Sequence, residues 1–332
     1  MDKRKRNRLK PLNKDKLTSE SEFTNLKQLS GVTPKEFVLN LDMLVIGKQI
    51  GKGSHGKVFL AKDKFTGNQV ALKVVDAITE ADFNNIKEES NLLFSCDHPN
   101  ITKCSGILYE NNRMFIQMEY MDFGPLSKFI KYKKNIIEKI CAYITCQILK
   151  GLVYLHKGKH IVHRDMKPSN LLLNSEGEVK IADFGVSGQV KATNDHKKTW
   201  IGTALYMSPE RIEGKKYDNT SDIWSLGLIV WECAVGHFPY FDKENSQGKL
   251  DILKLRSMVV EGDIPRFPDF FSDNLKDFLS KCLQKDMTKR AKSFELIEHP
   301  FVKKYINKGN RQFKEWLNLS FEEILLLNSK NK

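Results

Sequence analysis

The chain has 332 residues, enough for two modest domains or one two-lobed domain with tails, and its hydrophobic content of 40% is ample for a core. The most apolar run, SLGLIVWECAVG, is 12 residues long and carries Glu232, so no bilayer span is expected. The formal charge of +13 is uneven: residues 1 to 16 hold eight Lys/Arg against two Asp, a net +6 in a short segment.

That segment, MDKRKRNRLK and onward, has no apolar signal core behind it, and Asp2 stands where N-myristoylation needs glycine. Three readings fit it: a solvated tail, a docking segment for an acidic protein groove, or nuclear import and nucleic-acid contact. The absence of interleaved aromatics weighs against nucleic acid. Six cysteines (96, 104, 141, 146, 233 and 282) are scattered without C-x-x-C spacing, which argues against zinc and fits reduced thiols in the cytosol.

Residues 1 to about 40 are polar and patternless. Short strand-like runs follow: LVIGKQI, KVFLAKD and QVALKVVDA, with Thr66-Gly67 as a turn between the last two. The first two runs flank G-x-G-x-x-G at Gly51, Gly53 and Gly56, in the stretch Ile50, Gly51, Lys52, Gly53, Ser54, His55, Gly56, Lys57, Val58. Glycines of this kind mark a tight hairpin or a phosphate loop. Lying between two strands, they disfavour a dinucleotide fold and favour a hairpin over phosphates, where backbone N–H groups approach without a Cβ in the way.

Lys73 lies 17 residues after Gly56, beside Val70, Val74 and Val75. A lysine in a buried strand is costly unless paired. Residues 80 to 95 read as a helix with Phe83, Ile86 and Leu93 inward. Glu89 interrupts that stripe while Glu88 faces water, so Glu89 is the expected partner of Lys73. ITKCSGILYE and RMFIQMEYM form a second strand pair around Asn111-Asn112. After Pro125 the period turns helical, with Ile136, Ile140, Tyr143, Ile144, Ile148, Leu152 and Leu155 on one apolar face.

The segment HIVHRDMKPSNLLLN packs His163, Arg164, Asp165, Lys167 and Asn170 into eight positions, and Asp183-Phe184-Gly185 follows eighteen residues beyond Asp165. Asn170 and Asp183 are hard-oxygen ligands suited to Mg²⁺. A polar, aperiodic run then carries Thr193 and Thr199, six residues apart, around His196, Lys197 and Lys198.

Taken in order, G-x-G-x-x-G-x-V, A-x-K, H-R-D-x-K-x-x-N, D-F-G and S-P-E over residues 44 to 301 resemble a eukaryotic protein kinase. The resemblance implies an α+β, bilobal fold, with a small β-rich lobe (44–118), a larger helical lobe (122–301) and ATP between them. Flanking segments are 1–43, a basic extension expected to be disordered, and 302–332, a helical extension. It also implies that Asp165 receives or orients the substrate hydroxyl and that Lys167 neutralises the phosphoryl group. Asn170 and Asp183 would hold magnesium, and Lys73, paired with Glu89, would meet the α- and β-phosphates. By the same resemblance, Ile50, Val58, Ala71 and Leu172 should sandwich adenine, Met118 should guard the back pocket, and Glu119, Tyr120 and Met121 should offer hinge backbone groups. Glu210 and Arg290 match a structural ion pair, and Asp222 the acid that braces the catalytic loop.

Lys167-Pro168-Ser169 resembles serine/threonine kinases, and DFGVSGQV, GTALYMSPERI and SDIWSLGLIVWECAVGHFPY are similar to the MAP kinase kinase family, which phosphorylates a MAP kinase on Thr and Tyr. Two departures stand out. FDKENSQGKLD, after Tyr240, is short and proline-free where growth-factor-pathway members of animals carry a proline-rich insert. Thr193 and Thr199 have the S/T-x5-S/T spacing of plant and some protist members. The resemblance implies Thr193 and Thr199 as activating phosphosites with Arg164 as phosphate sensor. It also implies a MAP kinase docking segment of Arg4, Lys5, Arg6, Arg8, Leu9 and Leu12. Phe313, Trp316 and Leu317, at helical spacing, pack a helix on the large lobe, dock an upstream MAP kinase kinase kinase, or do both. Rival functions are an upstream kinase of that last kind and a kinase-like scaffold without activity. The expected location is the cytoplasm, with the nucleus as a second compartment, and neither nucleic acid nor membrane as partner.

Overall fold

A computed structural model describes residues 39–53, 56–76, 92–183, 204–240, 252–305 and 310–330. Several expectations lie outside these residues: the segment from Arg4 to Leu12, Ser54 and His55, Glu88 and Glu89, Phe184 and Gly185, and Thr193 and Thr199.

Five strands, β1 (Leu44–Gly53), β2 (Gly56–Asp63), β3 (Gln69–Asp76), β4 (Cys104–Glu110) and β5 (Arg113–Glu119), form an antiparallel sheet in the order β1-β2-β3-β5-β4. Turn chemistry joins them. Asp63 Oδ1 accepts the Phe65 and Thr66 amides at 2.9 and 2.7 Å. Asn111 and Asn112, at φ 52° and 58°, close the β4–β5 hairpin in the left-handed geometry that asparagine tolerates.

One face of the sheet buries Leu39, Leu44, Ala61 and Leu72, with Phe59, Val70, Leu108 and Phe115 packed against them. Leu39, assigned above to the extension, therefore belongs to the lobe. Its amide bonds the Ile107 carbonyl at 3.1 Å, and the burial of its apolar side chain holds Leu39 itself against the sheet.

The helical lobe is built on α1 (Leu126–Lys133), α2 (Glu138–Val153), α3 (Pro209–Ile212), α4 (Thr220–Val235), α5 (Asp273–Cys282) and α6 (Arg311–Lys330). The apolar face predicted for α2 is buried, and so is most of the rest of that helix: every residue from Ile140 to Leu149 is inside. Its polar members find partners there, Thr145 Oγ1 on the Cys141 carbonyl at 2.7 Å and Gln147 Oε1 on Asn100 Nδ2 at 3.2 Å. Trp224, Phe129, Phe278 and Leu152 fill the centre. Gly236 ends α4 at φ 84°, and a Cβ there would lie 1.1 Å from the Lys134 carbonyl oxygen, so only glycine fits.

A second sheet of three short antiparallel strands, β6 (Gly124–Pro125), β7 (Leu171–Leu173) and β8 (Val179–Ile181), lies where the helical lobe meets the first sheet's connection. Its register, Leu171↔Ile181 and Leu172↔Lys180, carries the chain from the catalytic segment back to Asp183.

Helix α6 carries the packing reading of the C-terminal aromatic stripe and corrects the docking reading at Phe313 and Leu317. Phe313 is 2% exposed, Leu317 is fully buried, and Ile324 is buried beside them. Phe313 stacks on Tyr143 at 4.8 Å, and Phe321 stacks on Phe123 at 4.0 Å. Lys314 meets Glu176 at 2.7 Å and Lys133 pairs with Glu323. Phe313 and Leu317 are thus core residues of the lobe and cannot present themselves to an upstream kinase; Trp316 is half-buried, 6.2 Å from the Phe129 ring. The aromatic stripe satisfied the packing reading. No helix among the described residues is long and apolar enough to cross a membrane.

Candidate active site

The floor of the site is a network anchored on Asp222, near the start of α4. Its Oδ2 accepts the His163 amide at 2.8 Å and His156 Nε2 at 2.9 Å, and its Oδ1 accepts the Arg164 amide at 2.9 Å. Burial alone would raise this carboxyl's pKa, but the hydrogen bond and charge of His156, with help from His163, hold it below the usual carboxylate value. The two amide bonds fix Arg164 at φ 71°, a left-handed conformation that costs a non-glycine residue about 1–3 kcal/mol.

His163, with no exposed surface, continues the network: Nε2 donates to the Ala182 carbonyl at 3.1 Å and Nδ1 accepts the Asp165 amide at 3.2 Å. The loop is thereby bent so that Asp165 faces the cleft.

Asp165 Oδ2 is held by Lys167 Nζ at 2.8 Å and Asn170 Nδ2 at 2.9 Å. Asn170 Nδ2 also donates to the Asp165 carbonyl at 2.8 Å. Two oxygens are left with no hydrogen bond among the described residues, Asp165 Oδ1 and Asn170 Oδ1. The first is an anionic acceptor in a fixed position; the second is a hard-oxygen donor.

The β7–β8 pairing and the Ala182 amide, bonded to the Asn170 carbonyl at 2.8 Å, bring Asp183 beside this loop. Asp183 sits at φ 54°, and its Oδ1 receives Lys73 Nζ at 2.7 Å. Lys73 is buried in β3, between Val58 of β2 and Ile116 of β5 in the register. A carboxylate so placed explains how a charged side chain is tolerated there.

Above the floor, Val58 and Ala71 of β2 and β3 stand with Ile50, which is 40% exposed, and Met118, which is buried. Leu172, half-buried on β7, lies on the opposite side. The Gly51↔Val58, Lys52↔Lys57 and Gly53↔Gly56 register makes the glycine loop the tip of the β1–β2 hairpin. Gly56, at φ 127°, passes so near β3 that a Cβ would lie 2.2 Å from the Val74 carbonyl oxygen.

The Met121 amide makes no hydrogen bond among the described residues, as a hinge donor requires. The Glu119 amide is different: it is already donated to the Lys103 carbonyl at 3.0 Å. Glu119 therefore has no N–H to offer. Its carboxylate instead accepts the Lys103 amide at 2.7 Å and meets the buried Lys180 at 2.7 Å.

A fixed anionic acceptor, Asn and Asp oxygens side by side, a buried lysine on the second acid and an apolar slot beneath a glycine hairpin have the chemistry of a phosphoryl-transfer site. The family model of the protein kinase domain matches residues 44–302. Mitogen-activated protein kinase kinase 2 of Arabidopsis thaliana is 45% identical over 85% of this chain and 78% of its own length. The chain belongs to the MAP kinase kinase family. Mitogen-activated protein kinase kinase SIPKK of Nicotiana tabacum is 42% identical over 87% of the chain and 81% of its own length. Dual specificity mitogen-activated protein kinase kinase 1 of Dictyostelium discoideum is 33% identical over 81% of the chain and 54% of its own length.

This MAP kinase kinase is an ATP-using enzyme, and its large lobe is tied below the active site by Glu210 and Arg290. Their side chains meet in a fork, Nη1–Oε1 at 2.7 Å and Nη2–Oε2 at 2.9 Å, with Ser221 Oγ on the same carboxylate at 2.8 Å. Two supporting residues escaped the sequence reading. His156 joins Asp222 to Ser293, at 3.1 Å on the Ser293 side. Lys180 joins the hinge acid Glu119 to β8. Neither has a local signature, because each acquires its meaning from a partner more than 60 residues away.

Proposed function

We propose that this kinase transfers the γ-phosphoryl group of ATP to Thr and Tyr hydroxyls of a MAP kinase, and is switched on by phosphorylation of Thr193 and Thr199. The observation that carries the catalytic half is Asp165: one carboxylate oxygen anchored by Lys167 and Asn170, the other clear to receive a hydroxyl proton or align the hydroxyl. Lys167 stands beside that oxygen, ready to offset charge on the group in transit.

The apolar slot with the Met121 amide suits adenine, and Lys73 suits the phosphates. Asn170 Oδ1 and Asp183 fit magnesium, a hard cation that takes oxygen ligands and keeps waters. Bound magnesium supplies charge neutralisation on the phosphates; the chain supplies position and a preorganised field.

The MAP kinase substrate is inferred from the names of the relatives and from the basic segment Arg4, Lys5, Arg6, Arg8, Leu9 and Leu12, whose cations and leucines suit an acidic patch and an apolar groove. Removing residues 1–16 is expected to raise KM for whole MAP kinase at least several-fold, with KM for ATP unchanged, because remote binding energy is lost and the chemistry is untouched. Equal kinetics for both forms at low salt would reduce that segment to a solvated tail. An upstream kinase is implied by the loop threonines. We place the enzyme in the cytoplasm, with the nucleus as a second compartment, on its scattered, unpaired cysteines, which suit a reducing environment.

The deciding experiment mixes the enzyme carrying acidic replacements at Thr193 and Thr199 with candidate MAP kinases and maps phosphate by mass spectrometry. Phosphate on both Thr and Tyr of one MAP kinase is the expected result. Phosphate only on another MAP kinase kinase would favour an upstream role. In the wild-type background, Thr199→Ala is expected to reduce activation more than Thr193→Ala, since Thr199 stands four residues before Thr203. Full activity of the double alanine variant would remove the switch.

A further inference from the structure

The hinge runs into a tight turn at Met121–Gly124. The Gly124 amide bonds the Met121 carbonyl at 3.0 Å, and Gly124 sits at φ 77°, a left-handed geometry that glycine adopts at little cost. The turn is tied at two points to the β7–β8 hairpin. Asp122 Oδ1 accepts the Ser175 amide at 2.8 Å, and the Phe123 amide bonds the Leu173 carbonyl at 3.2 Å. The neighbouring Leu172 belongs to the apolar slot. The Met121 carbonyl is spent on the turn, while its amide is not.

The Phe123 side chain is held from far along the chain. Its buried ring stacks on Phe321 of α6, with centroids 4.0 Å apart and planes 12° from parallel. Phe321 is seated in turn on α1: Lys128 Nζ lies 4.2 Å from its centroid and the Phe129 ring 6.5 Å away. Glu323, on the next turn of chain, pairs with Lys133 of α1.

The start of α6 meets the same β7–β8 hairpin. Asn310 Nδ2 donates to the Glu176 carbonyl at 2.6 Å, and Lys314 pairs with Glu176 at 2.7 Å. A Cβ at Gly177 would lie 3.0 Å from Asn310 Nδ2 and 3.1 Å from Lys314 Cβ, so the approach is close. Helix α6 begins beyond residue 302, where the matched domain ends, yet it touches the supports of the slot at two places.

We propose that Phe321 is a positioning residue for the nucleotide: stacked on Phe123, it fixes the Met121–Gly124 turn and so sets the affinity for the adenine end of ATP. The inference rests on the reading that the Met121 amide meets adenine. A turn fixed in advance spares the ligand the cost of ordering it, so loss of the stack weakens binding. It does not slow transfer, because Asp165, Lys167 and Asn170 hold one another through bonds that bypass the turn.

The test compares the full chain in wild-type, Phe321→Ala, Phe321→Leu and Phe313→Leu forms. Phe313 stacks on Tyr143 of α2, so its variant loosens α6 without touching the hinge turn. Three quantities are measured: Kd for ADP by calorimetry, KM for ATP against kcat, and hydrogen exchange of the Gly124 amide in the nucleotide-free chain. Melting curves check folding. Phe321→Ala is expected to raise both Kd and KM about threefold to tenfold, the worth of an aromatic pair, with kcat within about twofold. Gly124 exchange should speed up by a similar factor. Phe321→Leu, which keeps apolar bulk but loses the stack, should fall between. Phe313→Leu should lower the melting temperature and leave the other three quantities unchanged.

Equal losses of ADP affinity in Phe313→Leu and Phe321→Ala would make α6 a general stabiliser and overturn the positioning role. So would a fall in kcat in place of a rise in KM, or an ADP affinity or Gly124 exchange that ignores both Phe321 variants. The adenine reading has its own arm: ADP added to the wild-type chain should shift the Met121 amide resonance. If that resonance stays in place, the adenine reading fails, and Gly124 exchange alone judges the hold of Phe321 on the turn.

Discussion

Asp165→Asn and Lys73→Met are each expected to lower kcat/KM for phosphoryl transfer by roughly 100- to 10,000-fold, with melting temperatures close to wild type. The asparagine keeps the shape of Asp165 and can still accept from Lys167 or Asn170 at the Oδ2 position. What it loses is the anionic oxygen that, on the proposed role, would meet the substrate hydroxyl. Methionine at 73 keeps the length of the lysine stem in a buried strand, so it leaves no cavity between Val58 and Ile116. It removes the cation that now meets Asp183 at 2.7 Å and that would meet the phosphates of ATP. The expected contrast is therefore a large loss of rate on an intact fold, read by ADP release and thermal melting of the same samples. Retention of more than a few per cent of activity by both variants would sink the assigned roles.

The sequence made the cluster of Asp165, Lys167 and Asn170 legible because its members are packed into one short, ordered motif. Asp165, Lys167 and Asn170 fall within one turn of chain, and their mutual bonds span at most five residues. The hairpin glycines were legible for a similar reason: a strand–glycine–strand run admits few backbone paths. Distance in sequence hid the rest. Asp222 could be matched to the catalytic loop only by resemblance, and His156, which shares its carboxylate, carried no signal at all. The α2 periodicity was a true but partial guide, since a helix surrounded by protein buries its polar face too, and Thr145 and Gln147 are accommodated through bonds that no period encodes. Glu119 shows the same limit. Its position marked a hinge, yet its amide and carboxylate are spent on Lys103 and Lys180, partners set by the way two sheets meet. Phe313 and Leu317 had the spacing of an amphipathic helix, which is equally the spacing of a docking helix; only their burial separates the two.

Arg290→Ala is expected to lower stability by about 3–5 kcal/mol, because it leaves the Glu210 carboxylate buried without its cation. Arg290 is fully enclosed: its fork meets both Glu210 oxygens, its Nη1 also reaches the Thr220 carbonyl at 3.1 Å, and its Nε reaches the Gln284 carbonyl at 2.9 Å. Burial would raise the pKa of Glu210, but the hydrogen bonds and charge of Arg290 override it and hold the acid at about 2 against an ordinary 4.5. An acid whose folded pKa is depressed stabilises the fold fully above its ordinary pKa. The contribution, about 2 kcal/mol after allowance for solvent screening, is lost as pH falls from 4.5 towards 2. Glu210→Gln supplies the control. At neutral pH it should be less stable than wild type, since the amide offers Arg290 no charge. As pH falls through that window the gap should shrink, because a protonated Glu210 and a glutamine leave the guanidinium equally without an anion. Urea unfolding of both proteins from pH 7 downwards measures the gap directly. A gap that stays constant with pH would mean that the pair stabilises the large lobe by shape and hydrogen bonding alone, and that the charge on Glu210 contributes nothing.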